Sequence, residues 1–552
     1  MSLDFKKYYN DLLFLPLGGA GEIGMNLNLY YHKGKWLMVD LGIGFADGNF
    51  PGVDVVVPNV SFISKYAEDV VGLVLTHAHE DHIGGVQYFW TDFKCPIYTT
   101  KFTSEVLKAK MLEAGLGHDV VIHEMLSNKK VDIGPFNVEM IHITHSIPEM
   151  NGLMIRTDKG NIFHTGDWKL DRDPLIGQAT DEVKLKSLGD EGVLAMVGDS
   201  TNIFNHGWSG SEGALQESLH EIISGFENKM IVITTFASNI ARLSAIATAA
   251  AESGRRIILA GRSLWRLYRA AIASGYLKDL PEFLPDSQIS QFKRHEVLII
   301  CTGCQGELLA ATNKMVDETH PNIKLHEGDV IIFSSKIIPG NEKKIYALFN
   351  KFCRKGIEVL TERDHFVHVS GHPARDEVSR MYDLIRPQIA IPVHGEAIHI
   401  HEHAKLARSK GCKHAVEIAN GDVFQINSPN PIKIGVVESG YTLVDGYCLI
   451  DSDSTIIRKR RSMRDHGLVV ANLLYSKNVM VKKPRINAPG VLEYSTDSEL
   501  LDMISKELNS ALKSSGRLPD KAIEKTTVSI VRSILKQQIG KRPEIVVNII
   551  RV

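Results

Sequence analysis

The segment Thr76-His77-Ala78-His79-Glu80-Asp81-His82 gathers three imidazoles and two carboxylates directly after the apolar run Val71–Leu75 and ahead of Gly84-Gly85. At alternate positions, His77 and His79 can aim at one metal ion, and the turn that follows lets Asp81 and His82 aim at a neighbouring one. Imidazole and carboxylate donors suit zinc, with manganese as an alternative. The chemistry such a set supports is hydrolysis assisted by two divalent ions. Further donors are expected at other strand ends: His145 after Ile143-Thr144, Asp167 after Phe163-His164-Thr165-Gly166, and His394 after Pro392-Val393. A lone strand-end histidine is more often structural than a ligand, but the His77–His82 cluster reverses that balance. His142 and His164 read as structural neighbours that could steady the ligands.

Donors at strand ends need a sheet framework to bring them together. Over the first ~200 residues, short apolar runs at Leu27–Tyr31, Trp36–Asp40, Val71–Thr76, Asn137–His145, Ile162–Asp167 and Gly192–Asp199 read as strands that stop at polar or glycine-rich residues. Their density suggests sheets packed face to face with helices outside. From about Gly210 the texture becomes a helix (Glu212–Glu227), a strand (Met230–Thr235), a helix (Asn239–Ser253) and a strand (Arg256–Ala260), with further strands at Val297–Cys301 and Val330–Ser334. That alternation predicts a parallel α/β unit. Strand-end histidines return at His368, His372 and His394, so the α/β unit is expected to be inserted into the first domain. The boundaries expected are 1–208 and 356–450 for the two parts of the first domain, 209–355 for the insertion, 451–466 for a linker and 467–552 for a small α+β domain.

The chain has 552 residues, which implies more than one core. Its composition, 44% hydrophobic and 23% charged, is that of a globular protein, and its net charge of -2 excludes a global basic field, so any polyanion must be met by local patches. Six scattered cysteines do not form a disulfide framework, which points to a reducing interior. No stretch is apolar enough for a signal-peptide core or a membrane span. A soluble, cytoplasmic protein with no membrane partner is expected.

The order and context of Asp40, the His77–His82 cluster, His145 and Asp167 resemble the metallo-β-lactamase superfamily. That resemblance implies an αββα sandwich in which His77, His79 and His145 hold one metal, while Asp81, His82 and a bridging Asp167 hold the other. It also implies that Asp40 supports the metal loop from behind. Gly198-Asp199-Ser-Thr-Asn202, Val367-His368-Val-Ser-Gly-His372 and Pro392-Val-His394-Gly-Glu396 resemble the three motifs of the β-CASP nuclease branch. Leu17-Gly-Gly-Ala-Gly-Glu-Ile-Gly-Met-Asn26, Thr235-Phe-Ala-Ser-Asn239 and Thr302-Gly-Cys-Gln-Gly-Glu307 look like ribonuclease J, with one departure in that Leu308 stands where that family commonly has proline.

The resemblance covers nearly the whole chain and implies a 5′-to-3′ exonuclease with added endonuclease activity, acting on single-stranded RNA in RNA processing and decay. Its cofactors would be two divalent ions, zinc before manganese or magnesium, and its carboxy-terminal domain would support a homodimer or homotetramer. Asp81 would orient or deprotonate the attacking water. His368 would stabilise the transition state or protonate the leaving oxygen, and His394 would complete the metal set. Asp199 would support from behind the ligands, and Ser238, Asn239, Ser370, Gly371 and His372 would hold phosphate at a terminus that prefers a 5′-monophosphate.

Rival readings are weaker. A DNA-directed β-CASP nuclease is disfavoured by His394, since DNA-directed branches tend to carry an aliphatic residue there. A lactamase-type small-molecule hydrolase does not need the insertion, and a non-catalytic scaffold does not need every ligand position filled. Gly19-Ala-Gly21-Glu-Ile-Gly24 matches a dinucleotide fingerprint, but Asn26–Tyr31 alternates as a strand where a helix should follow. Cys301-Thr-Gly-Cys304 lacks a second pair and reads as structural. His399, His401 and His403 begin a polar helix, Ala397–Lys410, and read as a solvated helical surface. The run Arg458–Arg461 with Arg464 fits an RNA contact and a charged connector equally.

Overall fold

The structure, a computed structural model, describes all residues except 1–2, 47, 118, 429, 478 and 514–516. It divides into two compact units, 1–44 with 57–440, and 45–56 with 441–552.

Two sheets form the centre of the first unit. One has eight strands in the order Ile432–Val436, Asp422–Gln425, Leu13–Gly18, Leu27–His32, Lys35–Val39, Val70–Val74, Ile97–Thr99 and Ile122–Glu124. The other has seven, ordered Lys130–Ile133, Phe136–His142, Asn151–Thr157, Gly160–His164, Ala195–Asp199, Ile389–Val393 and His414–Ala415. Successive residues on a strand face opposite ways, and both faces of the second sheet are covered. Ile162, Val197 and Ile391 pack inward with Tyr30, Val39 and Val74 of the first sheet. Phe163, Met196 and Ala390 pack outward with Leu185, Met381 and Leu406 from helices. Burial on both faces is why these strands read as unbroken apolar runs.

The chain leaves the second sheet after Asp199 and returns in the adjacent strand, Ile389–Val393, which pairs with it in parallel. Between them lies a six-stranded parallel sheet ordered Leu284–Pro285, Arg256–Ala260, Val297–Cys301, Ile231–Thr234, Val330–Phe333 and Glu358–Leu360. The last of these strands extends the inserted layer beyond residue 355, because Glu358–Leu360 finds its hydrogen bonds on Val330–Phe333.

A buried ion pair joins the insertion to the loop that leads back to the sandwich. Arg242, fully buried in the helix Ile240–Glu252, donates from Nε and Nη2 to Glu212 (3.0 and 2.9 Å) and from Nη1 to the Ser334 hydroxyl (2.8 Å). Its guanidinium also donates to the Val367 and Val369 carbonyls. A planar fork with five donors satisfies all of these acceptors at once.

In the second unit, Leu468–Ser476 is the central strand, flanked by Arg485–Asn487 and Val479–Met480 antiparallel and by Glu544–Arg551 parallel. Its alternate residues Val469, Ala471, Leu473 and Tyr475 are buried with Ile504, Leu508, Val531 and Leu535 of two helices. The basic run lies on a helix, Thr455–His466, capped by Ser454, rather than on an irregular linker. Arg460 pairs with Asp445 at 3.0 and 2.7 Å, Arg461 lies over the Phe50 ring while donating to the Asn49 carbonyl, and Arg464 bonds to the Gly48 carbonyl. Arg461 and Arg464 thus hold residues 48–50, and Arg460 holds Asp445. Among the described residues no helix is long and apolar enough to cross a membrane.

Removing one partner of a buried pair strands the other, at a cost of roughly 3–5 kcal/mol. Arg242→Met should therefore lower stability in chemical denaturation by about that much, and adding Glu212→Leu should recover most of the loss. A double variant no more stable than Arg242→Met would contradict this account of the pair.

Candidate metal centre

The residues with hydrolytic chemistry converge at one edge of the sandwich, just beyond the ends of parallel-running strands. Asp40 follows Lys35–Val39, His77 follows Val70–Val74, Asp167 follows Gly160–His164 and His394 follows Ile389–Val393. Parallel pairing of Lys35–Val39 with Val70–Val74 sets Asp40 beside Thr76. The Asp40 carboxylate accepts from the Thr76 N–H (2.8 Å), the Thr76 hydroxyl (2.9 Å) and His82 Nδ1–H (2.7 Å). Backbone bonds then seat the His79–His82 turn: Asn26 N–H donates to the Asp81 carbonyl, Leu41 N–H to His82 and Ile43 N–H to Glu80. Contact is so close at Gly42 that a Cβ there would lie 1.7 Å from the Asp81 carbonyl oxygen.

The imidazoles are turned so that unprotonated nitrogens face one another. Because Thr76 donates its hydroxyl to Asp40, its oxygen is free to accept from His77 Nδ1–H (3.0 Å), leaving the His77 Nε2 lone pair inward. His145 Nδ1–H donates to the Gly371 carbonyl (2.6 Å), with the same result for its Nε2. His77 Nε2 and His145 Nε2 then lie 3.0 and 3.1 Å from His79 Nδ1. Donors about 2.0–2.1 Å from a tetrahedral zinc would be about 3.3 Å apart, so this spacing fits one ion.

A second set adjoins the first. Asp167 Oδ2 lies 3.1 Å from His82 Nε2, 3.3 Å from His394 Nε2 and 3.8 Å from His77 Nε2. Asp81 Oδ2 is 3.6 Å from His82 Nε2 and 3.7 Å from His394 Nε2. His77, His79, His145 and Asp167 form one group of converging ligand atoms, and Asp81, His82, Asp167 and His394 form another. This donor set fits divalent metal. His394 differs in one respect: its Nδ1 accepts from Gly24 N–H (3.3 Å), which puts its proton on Nε2 toward Asp167. The Asn26 amide nitrogen, which donates to the Asp81 carbonyl, lies 3.1 Å from the same nitrogen, so a metal at Nε2 requires this side of the ring to rearrange.

Electrostatics separate the two groups. Burial holds His77 and His145 well below the usual histidine range and His79 at about 4, so these imidazoles are uncharged near neutral pH, each with one nitrogen free of a proton. Burial works the same way on His82 and His394, but Asp167 together with Asp81, and with Asp40 beside His82 and Asp199 beside His394, raises both. Burial would likewise raise Asp167, yet His394 and His82 hold it well below the carboxylate range.

His372 stands at this cluster. Its Nδ1 is 2.8 Å from Asp199 Oδ2 and 3.9 Å from Asp167 Oδ2, and its ring is 5.4 Å from that of His145. Despite burial, Asp199 and Asp167 raise it to about 9. Asp199, His372 and His394 make a third group of converging ligand atoms. His368 has different surroundings. Its Nδ1 is buried with no partner among the described residues, and burial followed by the charges of Arg242, Lys336 and Lys169 holds it well below its ordinary range.

The expected phosphate donors divide similarly. Ser370 Oγ accepts from the Asn202 amide (2.7 Å) and His372 N–H (3.1 Å), and keeps its own hydrogen to give. Gly371 is pressed against His145, where a Cβ would lie 2.8 Å from Cε1. Asn239 is engaged at both ends of its amide: Oδ1 caps Ile240–Glu252 by accepting from Arg242 N–H (2.8 Å), and Nδ2 points at Glu212. It braces the Arg242 pair, while Ser238 beside it is half-buried.

Other motifs resolve as structure. His164 Nδ1 meets the Tyr30 hydroxyl (2.9 Å), His142 Nε2 donates to Gln178 (2.7 Å), His401 pairs with Glu417 (2.9 Å) and His403 sits between Ser200 and Tyr382. The Cys301 and Cys304 thiols are buried and pushed up, the latter to about 12. Ala20–Gly21 pairs with Gly395–Glu396 and leads into the strand Leu27–His32, not a helix. Sequence reasoning missed Asn26 and Arg242. Arginine is so seldom buried that nothing in the sequence marks Arg242.

Four family models match the chain: a beta-lactamase superfamily domain over 36–187, a "Ribonuclease J, beta-CASP domain" over 228–352, a "Zn-dependent metallo-hydrolase RNA specificity domain" over 356–418 and a "Ribonuclease J C-terminal domain" over 455–552. The chain is 37% identical over 552 residues to ribonuclease J of Sinorhizobium meliloti, covering 98% of each protein. It is 33% identical to ribonuclease J 1 of Streptococcus pyogenes (95% of this chain, 94% of that one) and 32% identical to ribonuclease J of Thermus thermophilus (96% and 94%). In fold it is similar to a protein of unknown function from Enterococcus faecalis, with a TM-score of 0.53, 15% identity, and coverage of 75% of this chain and 99% of the other.

Asp40 touches the ligand turn without belonging to either group. Removing the charge that orients such a ligand typically costs 10–100-fold in metal affinity. Asp40→Asn should weaken zinc binding by about that factor in a chelator competition, with circular dichroism unchanged. Wild-type affinity would restrict Asp40 to bracing the fold.

Proposed function

The chain belongs to the ribonuclease J family, and on that footing we propose that it is a two-metal ribonuclease, a 5′-to-3′ exonuclease on single-stranded RNA that favours a 5′-monophosphate and also cuts internally. The observation that carries the reading is Asp167, whose Oδ2 lies within 4 Å of nitrogens from both ligand groups and of His372. His77, His79 and His145 would hold one ion, Asp81, His82 and His394 the other, with Asp167 between them, and zinc suits the donors. Two such ions would acidify a water and offset the charge that builds on a phosphodiester during in-line displacement.

The chain's own groups divide the remaining work. Asp81, only partly covered, can orient or deprotonate the attacking water. His372, held at Nδ1 by Asp199, can carry a proton to the leaving 3′-oxygen; this assigns to His372 the role that the family resemblance implied for His368. His368, kept neutral by burial and by the positive charges of Arg242, Lys336 and Lys169, suits a terminal phosphate instead. Ser370 keeps a hydrogen to donate there, and Ser238 offers a hydroxyl from the inserted half. A pocket of fixed depth would accept a monophosphate and exclude a triphosphate, which is how an exonuclease measures from the end.

Digesting labelled RNA with a 5′-monophosphate, triphosphate or hydroxyl, beside matched DNA and with and without chelator, tests this. The monophosphate RNA should be degraded processively, the triphosphate slowly, and the DNA and chelated reactions not at all. A lost charge-assisted hydrogen bond is worth about 1.5–3 kcal/mol, so Ser238→Ala and His368→Ala should each narrow the monophosphate preference about ten-fold or more while internal cuts persist. Full preference in both variants would place the pocket elsewhere, and equal cleavage of DNA would overturn the RNA reading.

A further inference from the structure

The loop that follows Asp199 carries three aromatic rings at every second position, Phe204, His206 and Trp208, and all three are exposed. Phe204 and Trp208 are 46% and 48% accessible, so roughly half of each large ring faces water. Single exposed apolar residues are ordinary, but three rings in one short loop at the edge of an active centre are not accounted for by folding. Arg172 lies over the Trp208 ring, with its Cζ 5.6 Å from the centroid. Phe204 meets His399 edge to face at 5.3 Å, and His399 Nδ1 is buried with no partner among the described residues. One end of this surface therefore offers a cation stacked on a π-face, and the other an exposed ring steadied edge to face by a histidine.

The loop is held, not loose. Asn205 N–H donates to the Asn202 carbonyl (2.8 Å), Arg375 N–H to the Asn205 carbonyl (2.8 Å) and Asp376 N–H to the Gly207 carbonyl (3.2 Å). The fully buried Glu377 accepts from Ser209 N–H (2.8 Å) and the Ser209 hydroxyl (3.0 Å). Both ends of the loop meet the segment that carries His368 and His372: Asn202 donates to Ser370, and Gly210 is packed against Val369. A surface ordered before binding loses little entropy on binding.

We propose that Phe204, His206 and Trp208 form a stacking platform for the bases of single-stranded RNA on the 3′ side of the scissile bond. The inference rests on the exonuclease reading. With the 5′ end held at His368, one nucleotide from the cut, the body of the chain is entirely 3′ of the metals and must leave along another wall. Bases stack on aromatic faces whatever their identity, and arginine beside such a ring adds cation–π attraction and meets phosphate charge. The platform grips RNA without reading its sequence, as an enzyme that degrades a chain end to end requires.

The test uses the full-length protein in chelator, so that binding is measured without cleavage, with 5′-monophosphorylated oligoadenylate as the probe. Base-on-ring stacking predicts that Phe204→Leu and Trp208→Leu, which keep apolar bulk, each weaken binding about ten-fold in fluorescence anisotropy. RNA abasic at the downstream positions should bind wild type as weakly as intact RNA binds the variants. With metal restored, the loss should appear in KM rather than in kcat. Wild-type affinity in the folded double variant, or abasic RNA that binds wild type as well as intact RNA, overturns the platform and leaves the rings to a protein partner. A wild type that cleaves RNA alongside such variants confines the failure to the platform, whereas a wild type that does not cleave RNA fails the exonuclease reading itself.

Discussion

A carboxylate only 2% exposed cannot keep its charge unless positive or polar partners replace water, and Asp167 is such a group. Its partners come from well separated parts of the sequence: His77 and His82 follow one strand, His394 ends another, and His372 sits on a returning loop. Satisfying Asp167 therefore requires the ends of several strands to meet at one edge, and a sandwich of sheets with parallel neighbours provides that. With metal between these groups, the attraction that now pairs imidazole and carboxylate would be redirected to the ions. The same atoms serve both states because their spacing already suits a shared ion.

The supports behind the ligands are as specific as the ligands. Asp40 holds His82 and, through Thr76, His77, while the Gly371 carbonyl holds His145. Gly371 belongs to the loop whose carbonyls at Val367 and Val369 are held by Arg242 from the inserted half. A chain of hydrogen bonds thus runs from the buried Arg242–Glu212 pair to an imidazole of the metal centre. The insertion does more than add a wall to a cleft, because it sets the loop that carries His368, Ser370 and His372.

What could be read from the sequence was what is local. His77 to His82 lie within one turn and show their ligand spacing without any tertiary information, and four of the six parallel strands of the insertion announce themselves by apolar runs alternating with helices. What depends on distant contacts was not readable. His368 and His372 are two histidines in one loop, and spacing does not say which meets Asp199; the 2.8 Å contact does. Asn239 was expected to hold phosphate, and only the structure shows its amide capping a helix at Arg242 N–H and reaching Glu212. The basic run Arg458–Arg461 with Arg464 was balanced between RNA and structure, and only the structure shows Asp445 and the carbonyls of Asn49 and Gly48 as partners of Arg460, Arg461 and Arg464. Glu358–Leu360 looked like the start of the returning domain because a strand's sequence does not name the sheet it joins.

The central claim is that one buried carboxylate stands between two metal sites. Anomalous diffraction at the zinc edge from crystals of the zinc-loaded protein measures this directly. Two peaks should flank Asp167, one among His77, His79 and His145 and the other among Asp81, His82 and His394. A single peak, or peaks that Asp167 does not touch, would contradict the account.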